Sequence, residues 1–440
     1  VMSMKINKIF LAASVALLFS SVLSAQDGAF SSYSPYSVFG VGNMSRQGNA
    51  YTLSMGGVGL ASRSNRFVNI VNPAAVTARD TLSFMLDFGL TLDNRVYRQG
   101  DVKSANNIFN LSNFVFSVPI WKKSALYAGI TPYSSLGYDF SHRITDPSII
   151  GNTGNVTYSC SGSGGMYQIF IGAGATFFKN LSIGAQVTYY FGNMFKSTNM
   201  DFASSSYRDI SSGYTMNLRA VGGKFGIQYD KSLGGGYFIT LGATYSTAAK
   251  MKGFVTDYKY ASISSVSDTL HHSIDTLGKG SKMRLASEYG VGFSLRKGDK
   301  WRMEFNYLCS DWSGTHIDEV TGFSNQGETK FSTTFSQSFR AGFEFIPNRN
   351  DIRYYMKRCS YRAGLYYDND YFKVNGNKVT SYGITLGITL PVFRWYNGIS
   401  LGLDVGRRGS AADGMIRETY AAIAIGFNIH DIWFQKPKYE

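Results

Sequence analysis

The sequence predicts an all-β protein, a fourteen-stranded antiparallel β-barrel that crosses a membrane. Three observations lead to this prediction: segments that alternate apolar and polar residues, connections that alternate between long and short, and a low charge content. Charged residues make up 16% of the chain, against about 25% in ordinary globular proteins, while hydrophobic residues make up 44% and aromatic residues 15%. A barrel that faces lipid hides such apolar surface without a long apolar run.

The first strand is the clearest of the repeated segments. From Leu82 to Leu92 every second residue is apolar, which places the apolar side chains on one face of a strand. This length suits a tilted strand that crosses the hydrocarbon layer. The fourteen segments of this kind are 82–92, 113–120, 125–132, 166–178, 181–191, 214–229, 237–246, 282–295, 301–310, 333–345, 361–368, 380–392, 398–407 and 419–434.

The connections between the segments supply an independent indication. Long ones such as 93–112, 133–165 and 247–281 alternate with short ones such as 179–180, and 346–360 is longer than its place in this pattern predicts. Outer-membrane barrels have short periplasmic turns and long outer loops. The pattern therefore favours a membrane barrel, with both ends in the periplasm, over a soluble β-protein.

The first 25 residues are typical of a signal peptide. Lys5 and Lys8 form a basic head, Ile9 to Phe19 is apolar, and a stretch of small residues ends at Ala25. The apolar run is too short to span a bilayer as a helix. We therefore expect cleavage after Ala25 and a mature protein in the outer membrane of a Gram-negative cell.

The net charge of +14 indicates what surrounds the protein. Basic residues are spread along the chain, and the signal peptide argues against nucleic acid as a partner. Outer-membrane lipid and lipopolysaccharide carry the phosphates that such a surface attracts. We also expect contact with the barrel-assembly machinery during insertion, and other outer-membrane proteins are further candidate partners.

The chain divides into four parts: a signal peptide (1–25), a glycine-rich head (26–79), the barrel (80–434) and a short periplasmic tail (435–440). Six glycines lie between positions 40 and 59, where they permit close backbone approach. Side chains alone do not fill the lumen of a fourteen-stranded barrel. The head is therefore predicted to be a hatch inside the lumen, and an extended periplasmic tail is the alternative.

Two motifs in the head carry a resemblance to a known family. The run Ser54-Met55-Gly56-Gly57-Val58-Gly59 is followed by Asn72-Pro73-Ala74-Ala75 and then by the first strand. The chain resembles the FadL/TodX family of outer-membrane transporters for long-chain fatty acids and aromatic hydrocarbons. The resemblance implies fourteen strands, a hatch in the lumen, and hatch-motif residues Gly56, Gly57, Asn72, Pro73 and Ala74.

The same resemblance implies an opening in the wall. In the family, a kink in the third strand opens a side gate toward the lipid. The matching segment here is 125–132, where Gly129 weakens packing and Pro132 cannot donate to the strand ladder. We therefore take these two residues as a candidate lateral gate.

Charged residues cluster on the inner face of the eighth to eleventh strands. They are Lys282, Arg284, Glu288, Arg302, Glu304, Arg340, Glu344 and Arg362. One interpretation is a polar wall that orients a ligand carboxylate. The other is ion pairing that holds the hatch, since buried charges require partners.

No catalytic constellation is recognisable, so we predict neither an enzyme nor a cofactor. His271 and His272 lack neighbours at metal-ligand spacing. Cys160 and Cys309 are expected near the outer side and Cys359 on the periplasmic side, so that Cys359 cannot form a disulfide with either.

The predicted function is passive uptake of hydrophobic or amphipathic molecules such as long-chain fatty acids. The alternative is a non-transporting subunit or adaptor of a secretion or assembly complex, and an outer-membrane hydrolase is a distant third.

Overall fold

The computed structural model describes most of the chain after residue 31. The described residues are 32–80, 83–121, 123–151, 153–178, 180–263, 266–277, 281–323, 329–392, 397–411 and 414–432. The predictions for the signal peptide and for the tail at 435–440 lie outside these residues.

Fourteen antiparallel strands form a closed barrel, as the sequence predicts. In chain order they are β1 Ser83–Gln99, β2 Val102–Trp121, β3 Ser124–Ile144, β4 Val156–Phe177, β5 Leu181–Phe202, β6 Asp209–Gly234, β7 Tyr237–Ser246, β8 Glu288–Lys297, β9 Trp301–Asp311, β10 Phe335–Phe345, β11 Ser360–Val374, β12 Asn377–Pro391, β13 Gly398–Arg408 and β14 Arg417–Ile432. Each overlaps one predicted segment. We call the end with the short turns the periplasmic end and the opposite end the outer end.

Pairing between the first and last strands closes the barrel. Ser83 pairs with Ile432 and Arg98 with Arg417, and this antiparallel register runs the full length between them. This seam pairs the two terminal strands with each other, which a membrane favours because lipid cannot satisfy their backbone groups.

The predicted alternation of faces is also confirmed. On β12 the side chains of Ile384 and Leu386 are 57% and 53% exposed, whereas Thr385 between them is completely buried. The same pattern holds on β5, where Ile183 and Val187 point outward. The outer surface is therefore the apolar band that faces lipid.

The strands differ from the prediction mainly in length. Residues 93–112 are not a loop, because β1 and β2 continue as a hairpin to a tight turn at 100–101. The segment 125–132 is the lower part of a strand of 21 residues, and Cys160 lies in β4 rather than in a loop. Beyond the membrane both faces of a strand meet water, as at 101–105, so the alternating pattern disappears although the strand continues.

Short elements complete the fold. Helical turns are Pro35–Val38, Ala50–Leu53, Pro73–Thr77, Pro147–Ile150 and Tyr355–Arg358. Additional strands are Asn43–Met44, Ala249–Lys250, Lys252–Ile263, Val266–Leu277, Arg284–Leu285 and Phe331–Thr333. The pair Lys252–Ile263 and Val266–Leu277 forms a hairpin that extends β6 at the outer end. No helix among the described residues is long and apolar enough to cross a membrane.

The main apolar core lies at the outer end. Side chains from the N-terminal segment, here residues 32–80, pack there against strand side chains and against the connection between β9 and β10. Five completely buried methionines belong to this core: Met166, Met194, Met216, Met251 and Met283. Because methionine adapts to irregular gaps, it suits a core built from converging loops and strands.

Candidate functional site

The N-terminal segment passes along the lumen from the outer end to the periplasmic end. The Ser34 N–H donates to the Gly137 carbonyl at 2.7 Å, and Gly40 N–H donates to the Phe323 carbonyl in an outer connection. At the other end, the turn Pro73–Thr77 lies against β4, β5 and β6. The segment therefore contacts the wall along its course.

The hatch-motif glycines suit this position because the backbone of the segment passes very close to the wall. Gly56 has φ +75°, and a Cβ there would lie 2.7 Å from the Ala341 carbonyl oxygen. Its N–H donates to Thr385 Oγ1 at 2.8 Å. Gly57 also has a positive φ and lies against Arg340. Only glycine accepts such a backbone at this distance from a strand.

The second motif closes the periplasmic end of the segment. Asn72 caps the turn through Ala74 N–H, and its Nδ2 donates to the Leu60 carbonyl at 2.7 Å. Pro73 follows at the first position of the turn, where its missing N–H costs nothing. A Cβ on Gly184 would lie 2.4 Å from Pro73, so the wall itself is shaped to admit this turn.

Three of the eight charged residues predicted to share the lumen wall, Arg302, Glu344 and Arg362, meet around Tyr51 of the N-terminal segment. Glu344 accepts from Arg302 at 2.8 Å and from Arg66 at 3.2 Å. Arg66, Arg302 and Arg362 lie 5.9, 5.6 and 4.2 Å from the centre of the Tyr51 ring. Burial raises the pKa of Tyr51, so its hydroxyl stays neutral beside these cations.

Two further residues of the predicted wall, Glu304 and Arg340, bind the backbone of the segment. Ala61 N–H donates to Glu304 Oε1 at 3.0 Å, and Arg340 Nη1 donates to the Gly57 carbonyl at 3.3 Å. These contacts fit the second interpretation of the charge cluster, in which the charges hold the segment. Arg284 lies apart from the cluster, exposed at the outer end, where it donates to the Gly314 carbonyl.

Above this packed region the lumen encloses a chamber of about 440 Å³. One part of its lining carries charged side chains that are held in ion pairs. These pairs are Arg46 with Asp404 at 2.7 Å, Arg95 with Asp93 at 2.7 Å, Arg408 with Asp370 at 2.7 Å and Arg340 with Asp368 at 3.5 Å. The other part carries tyrosine, glutamine and threonine side chains of β3, β4 and β5 together with Lys224 and Glu288.

The wall changes where the chamber meets β2 and β3. Their mutual pairing runs from Trp121–Ser124 to Phe114–Ile130, and among the described residues it does not continue beyond that point although both strands do. Above it, β3 pairs instead with residues Asn43–Met44 of the N-terminal segment. This strand separation, as we call it, begins just above Gly129.

The two residues of the candidate lateral gate lie on either side of the start of the separation. Gly129 still pairs with Val115, whereas Pro132 follows the last paired residue and lines the chamber. The register of β3 with β4 shifts immediately after Pro132. The structure thus brings Pro132 to the chamber and leaves Gly129 within the continuous wall.

Sequence reasoning missed part of this site. Lys224 and Asp404 lie on the inner faces of β6 and β13, where the alternation of outward apolar residues marks every second position as inward. That signal was available for Asp404, between Leu403 and Val405. It was weak for Lys224, because Gly222 and Gly223 precede it and interrupt the alternation in β6. Arg46 lies in an irregular stretch and carries no periodic signal.

The structure also settles the positions of the cysteines. Cys160, Cys309 and Cys359 are all free, and Cys359 lies beside the start of β11 at the periplasmic end. Among the described residues, no group of three or more His, Cys, Asp or Glu side chains is arranged to hold a metal ion.

Solved structures share this fold at low sequence identity. The toluene transporter TbuX of Ralstonia pickettii is 14% identical, with 87% of this chain and 98% of that chain covered and a TM-score of 0.54. The monoaromatic hydrocarbon channel CymD is 13% identical, with 89% and 98% covered and a TM-score of 0.58. A FadL homologue of Pseudomonas aeruginosa is 12% identical, with 89% and 99% covered and a TM-score of 0.54. The predicted resemblance to the FadL/TodX family is thus confirmed in the fold.

Comparison with curated proteins gave no match. A family model, in contrast, matches almost the entire chain. The matched region runs from residue 5 to residue 440 and so includes the N-terminal segment as well as the barrel. On this match, the chain belongs to the BamG family.

Proposed function

We propose that this barrel carries amphipathic small molecules passively across the outer membrane, with the chamber as the binding site and the strand separation as the exit. The observation that carries the proposal is the position of the chamber. Its lining includes Leu111 of β2 and Pro132 of β3, the two strands that part at this level. A molecule in the chamber is therefore adjacent to the place where the wall is interrupted.

The lining favours an amphipathic ligand over a purely apolar one. Apolar residues, Ile70, Val71 and Phe170, line the chamber together with the charged groups. Phe170 pairs across to Gly129, which places it at the strand separation. An apolar tail fits this part, whereas a polar head group fits the remainder, and the volume lies within the usual range for small-molecule sites. Long-chain fatty acids are one candidate class.

In this proposal the N-terminal segment acts as the hatch. Its contacts with β9, β10 and β11 hold it across the periplasmic half of the lumen. A ligand that leaves sideways does not have to displace these contacts. Lateral exit therefore reconciles uptake with a tightly held hatch.

Uptake of radiolabelled dodecanoate by cells that produce the protein tests this function. Thr188→Trp narrows the chamber beside Phe170, with which Thr188 pairs across β4 and β5, and is expected to reduce the uptake rate several-fold. Val187→Trp is the matched control, because Val187 precedes Thr188 on the same strand and is 59% exposed on the outside. Equal uptake by the wild type, both variants and cells without the protein would contradict the proposal.

A second candidate is a barrel subunit or adaptor of an outer-membrane assembly complex. The periplasmic connection 346–360 favours it, because this connection is long and ordered by its own hydrogen bonds. Asp351 Oδ1 accepts from the N–H groups of Arg353 and Tyr354. The turn thereby presents Ile352, 97% exposed, beside Arg353 and Lys357. An acidic periplasmic protein with an apolar patch would complement this surface.

Membership of the BamG family is compatible with such a role beside the barrel-assembly machinery. A photo-crosslinking residue at position 352 tests it in cells, with position 235, in a short periplasmic turn, as the control. A stoichiometric protein adduct from position 352 alone, abolished by Arg353→Glu with Lys357→Glu, would support the adaptor. Adducts with lipid alone would favour the transport function.

A further inference from the structure

We propose that the chamber recognises an amphiphile whose head group carries both a negative and a positive charge. The anionic group binds Lys224, and the cationic group binds a corner formed by Glu288, Tyr133 and Tyr190. This inference rests on the proposed uptake function and narrows the class of ligand.

The first argument is that these two charges differ from the others in the chamber. The four ion pairs of the chamber have separations of 2.7 to 3.5 Å. Among the described residues, neither Lys224 nor Glu288 has an oppositely charged group within 4.0 Å. Both nevertheless line the chamber and act on each other electrostatically. Charges removed from bulk water without a direct partner are costly, so they are the groups available to a ligand.

The second argument concerns the surroundings of Glu288. Tyr133 and Tyr190 also line the chamber, with their ring centres 4.7 Å apart and their planes at 66°. The charge of Glu288 acts on both tyrosines. Aromatic faces beside a carboxylate form the usual environment for a quaternary or primary ammonium group.

The third argument is the charge balance between the two positions. Arg340 adds positive potential near Lys224, although Arg340 is itself paired with Asp368. A purely anionic head group would therefore meet attraction at Lys224 and repulsion at Glu288. A purely cationic head group would meet repulsion at Lys224 and attraction at Glu288. A head group with both charges satisfies both residues at once.

Calorimetric titration of the purified barrel in dodecyl maltoside tests the inference. The probes are dodecanoate, dodecyltrimethylammonium and dodecylphosphocholine, which share a twelve-carbon chain and differ in charge. We expect dodecylphosphocholine to bind roughly tenfold or more tightly than either other probe, the change expected for one additional charge-assisted contact.

Two variants assign the charges to residues. Lys224→Gln should weaken dodecanoate and dodecylphosphocholine binding roughly tenfold and leave dodecyltrimethylammonium binding unchanged or stronger. Glu288→Gln should weaken binding of dodecyltrimethylammonium and dodecylphosphocholine, the two probes with an ammonium group, and spare dodecanoate. Lys231→Gln and Glu319→Gln are the controls, because Lys231 is exposed at the periplasmic end of β6 and Glu319 is exposed in an outer connection. Heat-modifiable migration in gels verifies that each variant is folded.

The outcomes separate this inference from the function on which it rests. Equal affinity for all three probes, or equal weakening of all probes by both variants, would overturn the two-charge head group while leaving uptake of amphiphiles in place. Absence of binding by every probe to the wild type would overturn both.

Discussion

The two halves of the lumen use the same kinds of side chain in opposite ways. In the periplasmic half, Glu344 lies between arginines of the wall and of the N-terminal segment, and the network is buried. In the chamber above it, Lys224 and Glu288 face open volume without a direct ionic partner among the described residues. Charge alone therefore does not identify a ligand site in a barrel. What matters is whether the protein itself supplies the counter-charge.

The strongest test of this contrast removes the shared counter-charge of the packed half. Glu344→Gln leaves Arg302 and Arg66 buried beside a neutral amide, and we expect the free energy of unfolding to fall by about 3–5 kcal/mol. Urea titration of the folded barrel in lipid vesicles measures it. Glu319→Gln, on an exposed outer connection, is the control. A loss equal to that of the control would mean that the network does not hold the segment.

The outer face of the barrel gives the next largest expected effect. Leu386→Arg places a charge in the apolar band and should cost about 2–4 kcal/mol of folding free energy, because lipid cannot solvate it. The same unfolding titration measures the loss, and Leu386→Ala separates the effect of charge from that of lost side-chain contacts. If both substitutions cost the same, this face does not meet lipid.

Close packing of the N-terminal segment predicts a smaller effect. Gly56→Ala forces a Cβ against the Ala341 carbonyl at a positive φ and should destabilise the segment by about 1–3 kcal/mol. Protease added from the periplasmic side measures the result as faster cleavage between residues 40 and 70. Gly100→Ala is the control, because a Cβ there meets no atom within 4 Å. Wild-type resistance in the Gly56 variant would argue against a tightly packed hatch.

The cysteines give the smallest expected signal. Cys160 and Cys359 are buried, at 8% and 0% exposure. A membrane-impermeant maleimide added to whole cells should therefore label neither one appreciably, in contrast to a cysteine introduced at the exposed position Val102. Rapid surface labelling of Cys359 would invert the assignment of the two barrel ends.

The success of sequence reasoning differed between strands and loops for a physical reason. Within the membrane, one face of each strand meets lipid and the other meets the lumen, so Ile384, Thr385 and Leu386 alternate as predicted. Outside the membrane this constraint ends. The upper parts of β1 and β2 and the hairpin at 252–277 therefore escaped the prediction.

The residues of the candidate site could likewise be predicted only in part. The charges Arg302, Glu304, Arg340, Glu344 and Arg362 could be assigned to one inner face from period two alone, but the period does not say what lies opposite. Arg284 is charged like the members of this group but lies elsewhere. Its strand pairs with Ala249–Lys250 at the outer end and does not belong to the barrel wall. Position along the barrel axis, not residue type, separates the two cases.

The class, the number of strands and the faces of the membrane-spanning part follow from the pattern of residues alone, because lipid imposes one local rule on every strand. Which charges are paired depends on the folded chain. Glu344 binds Arg302 on the neighbouring strand and also Arg66, which lies nearly three hundred residues earlier in the sequence. The folded chain also determines where β2 and β3 part. Strand pairing depends on the register between neighbours, and above this point β3 pairs with the N-terminal residues Asn43–Met44. Such long-range contacts leave no periodic trace in the sequence.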